Sequence, residues 1–133
     1  MRRSIKIAAV VATFIVVLAV VFAIRMAIMS GRLEAAHRDV ATVDLTELAD
    51  GTYRGEFSDF LVTVKVDVEV TDSRIEAIEI VHQDAGPGYD ARETVDRILE
   101  AQSPAVEAVT GATGSSRAIM TAVYRALVKT RDE

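Results

Sequence analysis

Eighteen consecutive residues, Ile7 to Ile24, carry no charge, and Thr13 is their only polar side chain. At about 1.5 Å per residue a helix of this length just crosses a hydrocarbon core of about 30 Å. The run is longer than the apolar core of about 7–15 residues found in cleavable signals. Ala23 and Ala27 are small, as a cleavage site requires. Ile24, Arg25 and Met26 nevertheless make a poor small-x-small site before Ala27. The run is therefore read as a retained transmembrane anchor within residues 1–29, with cleavage as the competing reading. Arg2, Arg3 and Lys6 precede it, whereas Arg25 and Arg32 follow with Glu34 and Asp39 close by. Lys and Arg set orientation and acids contribute little, so a cytoplasmic N-terminus and an extracytoplasmic C-terminal domain are expected.

The charge balance narrows the partners. All 20 acidic residues lie beyond the apolar run, against 12 of the 15 basic ones, which leaves that part at 12 − 20 = −8. Such a surface repels nucleic acid and offers no basic stripe for lipid headgroups. Cysteine is absent, which excludes disulfides, thiol chemistry and iron–sulfur ligation. The two histidines, His37 and His82, are far apart in sequence, so a zinc site is not expected. Redox chemistry in this chain has to come from an organic cofactor.

Beyond the anchor, residues 30–49 are polar and helix-compatible without a steady apolar stripe, and are read as a stalk. Asp50-Gly51 marks a turn, and Thr52 to Phe57 begins a short strand. Val62, Val64, Val66, Val68 and Val70 then alternate with Thr63, Lys65, Asp67 and Glu69. That period of two gives one dry face and one wet face. Thr71-Asp72-Ser73-Arg74 supplies turn residues, and Ile75, Ile78, Ile80 and Val81 predict a partner strand with a bulge near Ala77. Asp84-Ala85-Gly86-Pro87-Gly88 ends the sheet pattern. Ala91, Val95, Ile98 and Leu99 fall at helical spacing up to Gln102-Ser103-Pro104, and Val106 to Val109 is read as a short strand. A final helix is predicted from about Ser116 to Thr130, burying Ile119, Val123, Ala126 and Leu127. The expected fold is α+β, a small antiparallel sheet with packed helices, preceded by one N-terminal transmembrane helix.

The segment Thr110-Gly111-Ala112-Thr113-Gly114-Ser115-Ser116 carries the chemistry. Helix starts expose about four backbone N–H groups and roughly half a unit of positive charge. A loop of small residues lets a phosphate approach them, and Thr113 adds a hydroxyl at the mouth. Read alone, Ser115 or Ser116 is an ordinary N-cap worth about 1 kcal/mol, and the threonines are ordinary loop residues.

Set in order, the residues go further. Residues 50–128 resemble the FMN-binding domain family, which occurs in flavin-carrying subunits of sodium-pumping NADH:quinone reductases and of Rnf complexes, and in small membrane-anchored proteins. The resemblance runs from Asp50-Gly51-Thr52-Tyr53-x-Gly55 through the valine-rich hairpin to His82-Gln83-Asp84 and Pro87-Gly88. It ends in Glu107-Ala108-Val109-Thr110-Gly111-Ala112-Thr113, Ser115-Ser116 and the closing helix. It implies a domain over residues 50–131 that carries FMN. In many members the motif's last threonine, here Thr113, bears FMN through a phosphoester installed by a flavin transferase. Gly111 and Ala112 leave room beside the phosphate, and Thr110, Ser115 and Ser116 supply hydroxyls. Two positions depart from the family pattern: Glu107 replaces its aspartate, and His82-Gln83-Asp84 replaces His-x-Glu. Both keep the charge.

The resemblance implies a membrane-anchored electron carrier, working between a membrane reductase and an external acceptor, rather than a stand-alone enzyme. Besides the transferase, the partners implied are membrane electron-transfer proteins. A second reading is an anchored adaptor or sensor of the same fold without flavin. A third, a threonine-nucleophile hydrolase, needs a base, and His82 is the one nearby candidate. His82 and Tyr89 are weighed as flavin contacts against plain packing, and Arg117 as a phosphate partner against a solvated helix residue. Asp84 and Glu107 are discounted as an acid–base pair because nothing in the sequence brings them together.

Overall fold

The computed structural model describes residues 1–84 and 92–129. The Ala85–Gly88 break, with Pro87-Gly88, Tyr89 and Ala91, lies outside the described residues, as do residues 130 and 131 at the end of the expected domain. The chain opens with one helix, α1 (Arg2–Arg38), of 37 residues. Its large apolar side chains from Ile5 to Ile24 are all exposed, Val10 at 69% and Phe14 at 63%. A core helix would have these covered. Apolar residues on every face instead ask for a non-aqueous surround, and α1 is long and apolar enough to cross a membrane.

The three expected strands form a meander. β1 (Gly51–Asp59), β2 (Val62–Thr71) and β3 (Arg74–Asp84) lie in the order β1-β2-β3, both pairs antiparallel. The valine alternation does what its period dictates: Val64, Val66, Val68 and Val70 are all fully buried. Each such side chain stabilises the core by about 1.5–3 kcal/mol. The opposite face is wet and laced by cross-strand pairs. Arg54 makes a two-bond ion pair with Asp67 at 2.7 and 2.8 Å, and the Ser58 and Thr63 hydroxyls meet at 3.1 Å. The β2–β3 turn places both Asp72 (φ 51°) and Ser73 (φ 61°) in the left-handed region, as a two-residue hairpin turn demands.

The alternation of β3 slips at two places, not one. Its register against β2 shifts between Glu69 and Val70 and again between Lys65 and Val66. The first shift lets both Ile75 and Ile78 turn towards the core, beside the expected Ala77 position. The second leaves Val81 and His82 exposed in succession between half-buried Ile80 and half-buried Gln83. One extra residue per bulge restores the inward set.

Two helices cover the dry face. α2 (Arg92–Ala101) lies along β3, and α3 (Thr113–Lys129) lies across β1 and β2. α2 ends as its sequence indicates. Gln102 adopts φ 52°, and the Ser103 N–H donates back to Ile98 O at 3.3 Å, closing the last turn. The Gln102 side chain then joins the helix to the sheet, accepting from Ile75 N at 2.8 Å and donating to Ile75 O at 3.0 Å. α3 buries the four expected residues and also the unbroken run Ala118–Val123. It is covered on more than one side because the end of α1 packs on it. Where β1 passes under α3, Gly55 is required for space. A Cβ there would fall on the Ala122 carbonyl oxygen and lie 2.6 Å from Ala126 N.

Two elements differ from the sequence reading. Among the described residues the sheet has three strands, and residues 105–109 join no ladder; Arg97 of α2 holds the Glu107 and Ala108 carbonyls instead. Residues 30–49 do not form a free spacer. α1 continues through Arg38, a short 3-10 turn follows at Leu45–Glu47, and Leu33, Val43 and Leu48 are buried in the core cluster. Leu33, Ala36 and Val40 sit at helical spacing, but three small or medium residues among charges make too thin a stripe to stand out in the sequence.

Candidate functional site

The loop before α3 is built around one glycine. Ala112 N donates to Val109 O at 3.0 Å, and Gly111 sits at φ 82°. These are the marks of a type II turn over residues 109–112, whose third position needs a positive φ. The turn delivers the chain into α3 at Thr113, three residues earlier than the sequence reading placed the helix start. Thr113 is thus the first helical residue itself. It is exposed, as are Thr110, Gly111 and Gly114, while Ala112 and Ser115 are half-buried.

Ser116 faces the other way. It is fully buried. Its hydroxyl donates to Ala112 O at 2.8 Å and accepts from Val109 N at 3.1 Å and from the Thr94 hydroxyl at 3.2 Å. The residue expected to reach for phosphate instead ties both ends of the turn to each other and to α2. The exposed hydroxyls are those of Thr110 and Thr113, with Ser115 beside them.

Arg97, on α2, holds the preceding segment. Its guanidinium donates to Glu107 O at 3.0 Å and to Ala108 O at 3.3 Å, while a 2.8 Å bond to Glu93 orients it. Those two carbonyls would otherwise have found partners in a strand ladder. The sequence displays the Glu93–Arg97 spacing as a helix-surface pair, but nothing in it says where the guanidinium reaches. The Glu107 side chain itself is exposed. A groove of about 520 Å³ lies against it between α2 and the loop, lined by Arg97, Glu100, Val106 and Glu107.

His82 is not part of this cluster. It lies near the end of β3, exposed, with Nε2 2.9 Å from Asp84 Oδ2. Among the described residues no hydrogen bond joins it to the 107–116 loop, so nothing here makes it a base for Thr113. Arg117, one turn on from Thr113, is half-buried on the side facing α1. Burial first, and then the Arg117 charge, holds the pKa of His37 below its ordinary value. A groove of about 550 Å³ between β1 and the last turns of α3 is lined by Gly55, Tyr124 and Lys129. It lies at the other end of α3 and holds none of the site residues.

The residues at the start of α3 fit the phosphate end of a flavin nucleotide. The first helical N–H groups have no partner one turn back, and the helix start favours an anion. At Gly111 and Gly114 an added Cβ would meet nothing within 4 Å, so the backbone there lies open to a ligand. Among the described residues no cluster of His, Asp or Glu could hold a metal ion.

No curated protein matches the chain closely enough to extend these observations. The family model for the FMN-binding domain matches residues 61–128, slightly more than half of the 133 residues. The match begins in the β1–β2 turn. β1 nonetheless pairs with β2 along its whole length, so the folded unit is larger than the matched stretch. It takes in the meander from β2, the helix pair and the whole Thr110–Ser116 loop, and it carries FMN over the flavin-free reading. The chain is a member of the FMN-binding domain family, a flavin-binding module with FMN as its cofactor.

Proposed function

We propose that this protein is a single-pass membrane flavoprotein that carries FMN on Thr113 and relays electrons between a membrane reductase and an extracytoplasmic acceptor. The observation that carries the reading is the placement of Thr113 as the exposed first residue of α3, on a turn pinned by Gly111, Ser116 and Arg97. Once esterified, the phosphate keeps one negative charge, which suits the helix start. Thr110 and Ser115 supply further donors within the same loop. FMN itself supplies the electron chemistry. The chain's own part is to hold the nucleotide, orient it and tune it. Residues 1–29 serve as the cytoplasmic tip and anchor, residues 30–49 as a connection packed into the domain's core, and residues 50–131 as the flavin domain.

Glu107 stands where the family has aspartate and is solvent-facing, open to a flavin transferase approaching the loop. The test is co-expression of the full chain with such a transferase, followed by denaturing electrophoresis and intact mass. Flavin fluorescence that survives denaturation, together with the mass of a bound FMN, is expected for the native chain. Both should vanish in Thr113→Ala. Native protein that is yellow but loses its flavin on denaturation would overturn covalent attachment while leaving FMN binding intact.

A further inference from the structure

The tip of the β1–β2 hairpin breaks the usual chemistry of such turns. Asp59 pairs with Val62, which leaves Phe60 and Leu61 as a two-residue loop. Loops of this length favour Gly, Asn or Asp, because a positive φ is needed. Phe60 nevertheless adopts φ 33°. Both side chains stand in the open, Phe60 at 40% and Leu61 at 51% exposure. Beyond Ile28 the only other exposed large apolar side chain among the described residues is Val81. The equivalent tip between β2 and β3 is Asp72-Ser73, polar as expected.

What lies beside Phe60 indicates why. Its ring meets the Phe22 ring at a centroid distance of 6.1 Å, tilted by 58°. The Arg25 guanidinium carbon lies 4.9 Å from the Phe60 ring centroid. Arg32 reaches Asp59 at 3.6 Å and clamps the hairpin along the helix. Phe22 belongs to the uncharged run, and Arg25 is the first charge after it. Three residues of helix put Phe22 about 4.5 Å deeper than Arg25. Groups in a bilayer interface bury by about 5–10 Å. The hairpin tip is therefore level with the last apolar turn of α1.

We propose that Phe60 and Leu61 dip into the boundary between headgroups and hydrocarbon of the same membrane that α1 crosses. The proposal rests on α1 being a retained span, and it adds a second point of lipid contact. With α1 unbroken to Arg38 and the tip seated, the domain is held against the bilayer rather than swung on a tether. The occupant is lipid because the patch is continuous with the exposed apolar surface of the span, and because it is apolar in an otherwise acidic domain.

The chain has no tryptophan, so single substitutions report cleanly. The full chain would be reconstituted in phosphatidylcholine vesicles containing lipids brominated either near the carbonyl end or near the methyl end of the acyl chain. Leu61→Trp and Phe60→Trp are expected to emit at short wavelength and to lose most of their emission to the carbonyl-end bromines. Phe14→Trp, at mid-span, should be quenched chiefly by the methyl-end bromines. Ala105→Trp, on the segment whose Ser103 lies against Thr42 beyond the end of α1, should emit as in water and be quenched by neither. If Phe14→Trp is quenched but both tip variants behave like Ala105→Trp, the tip proposal is overturned and the anchor stands. If Phe14→Trp is itself unquenched, the span fails and the tip proposal falls with it.

Discussion

The sheet and the loop before α3 are held together by different means. In the meander, main-chain ladders and four fully buried valines fix every strand, and polar side chains decorate the far face. In the 105–116 segment there is no ladder. Its shape depends on Arg97, Ser116 and one glycine conformation. The sheet is therefore expected to tolerate loss of a polar contact but not of space. The loop is expected to tolerate added bulk in places but not the loss of the Ser116 hydroxyl. A site that has to present open backbone to a ligand cannot bury that backbone in a ladder, so side chains must set its form.

The sharpest way to break the sheet side is Gly55→Ala. The new Cβ would sit against the Ala122 carbonyl oxygen, with Ala126 N at 2.6 Å and Ala126 Cβ at 2.8 Å. These are helix backbone and a methyl, with no flexible end to move aside. Overpacking of this kind costs about 1–3 kcal/mol and sometimes more. In so small a domain the expected result is loss of the cooperative unfolding transition, read by circular dichroism on the detergent-solubilised chain. A normal transition would mean that β1 and α3 can separate, and that their close approach is not what holds the dry face.

On the loop side the largest effect is expected from Ser116→Ala. It removes the acceptor used by Val109 N and by the Thr94 hydroxyl in a fully buried spot. Losing a buried partner costs about 1–3 kcal/mol. Denaturant unfolding should report that loss, and flavin loading should fall with it although no phosphate contact was removed. Undiminished loading would mean that the turn keeps its form without this hub.

How far these features could be read in advance follows the same division. Period-two valines, the Asp72-Ser73 turn and the closing helix are local patterns, each decided by neighbours within a few residues, so the α+β meander was legible. The loop's family motif was legible too. The burial of Ser116 was not, because besides its local partners Ala112 and Val109 it meets Thr94 of α2, 22 residues away. The reach of Arg97 to the Glu107 and Ala108 carbonyls is likewise a matter of how α2 lies against the loop. The packing of residues 30–49 was not legible for a similar reason, since Leu33 and Val43 join a core cluster whose other members come from strands and helices distant in sequence.

A paired substitution sharpens the contrast within the loop. Gly111 and Gly114 both have open space where a Cβ would go, but only Gly111 has a positive φ, 82°. Gly111→Ala should destabilise by about 1–2 kcal/mol, the cost of left-handed backbone for an L-residue. Gly114→Ala, inside α3, should stabilise by about 0.5–1 kcal/mol, because alanine is the better helix former. Unfolding midpoints that move in the same direction for both would show that space, not conformation, governs the turn.

The smallest effect belongs to the wet face of the sheet. The hydrogen bond from Arg54 holds the Asp67 carboxyl below its ordinary value of about 3.8, with the Arg54 charge adding to it and partial desolvation opposing. A carboxylate depressed in the folded state stabilises the protein above its unfolded pKa. That contribution is lost as pH falls from about 4 through the lowered value. The Arg54 side chain is 67% exposed, so solvent screening keeps the contribution modest. Asp67→Asn should leave the protein slightly less stable at neutral pH, and the two stability curves should converge in acid. Raising the salt concentration should narrow the gap at neutral pH. A gap that persists unchanged at low pH would mean that the residue acts through strand packing and not through its charge.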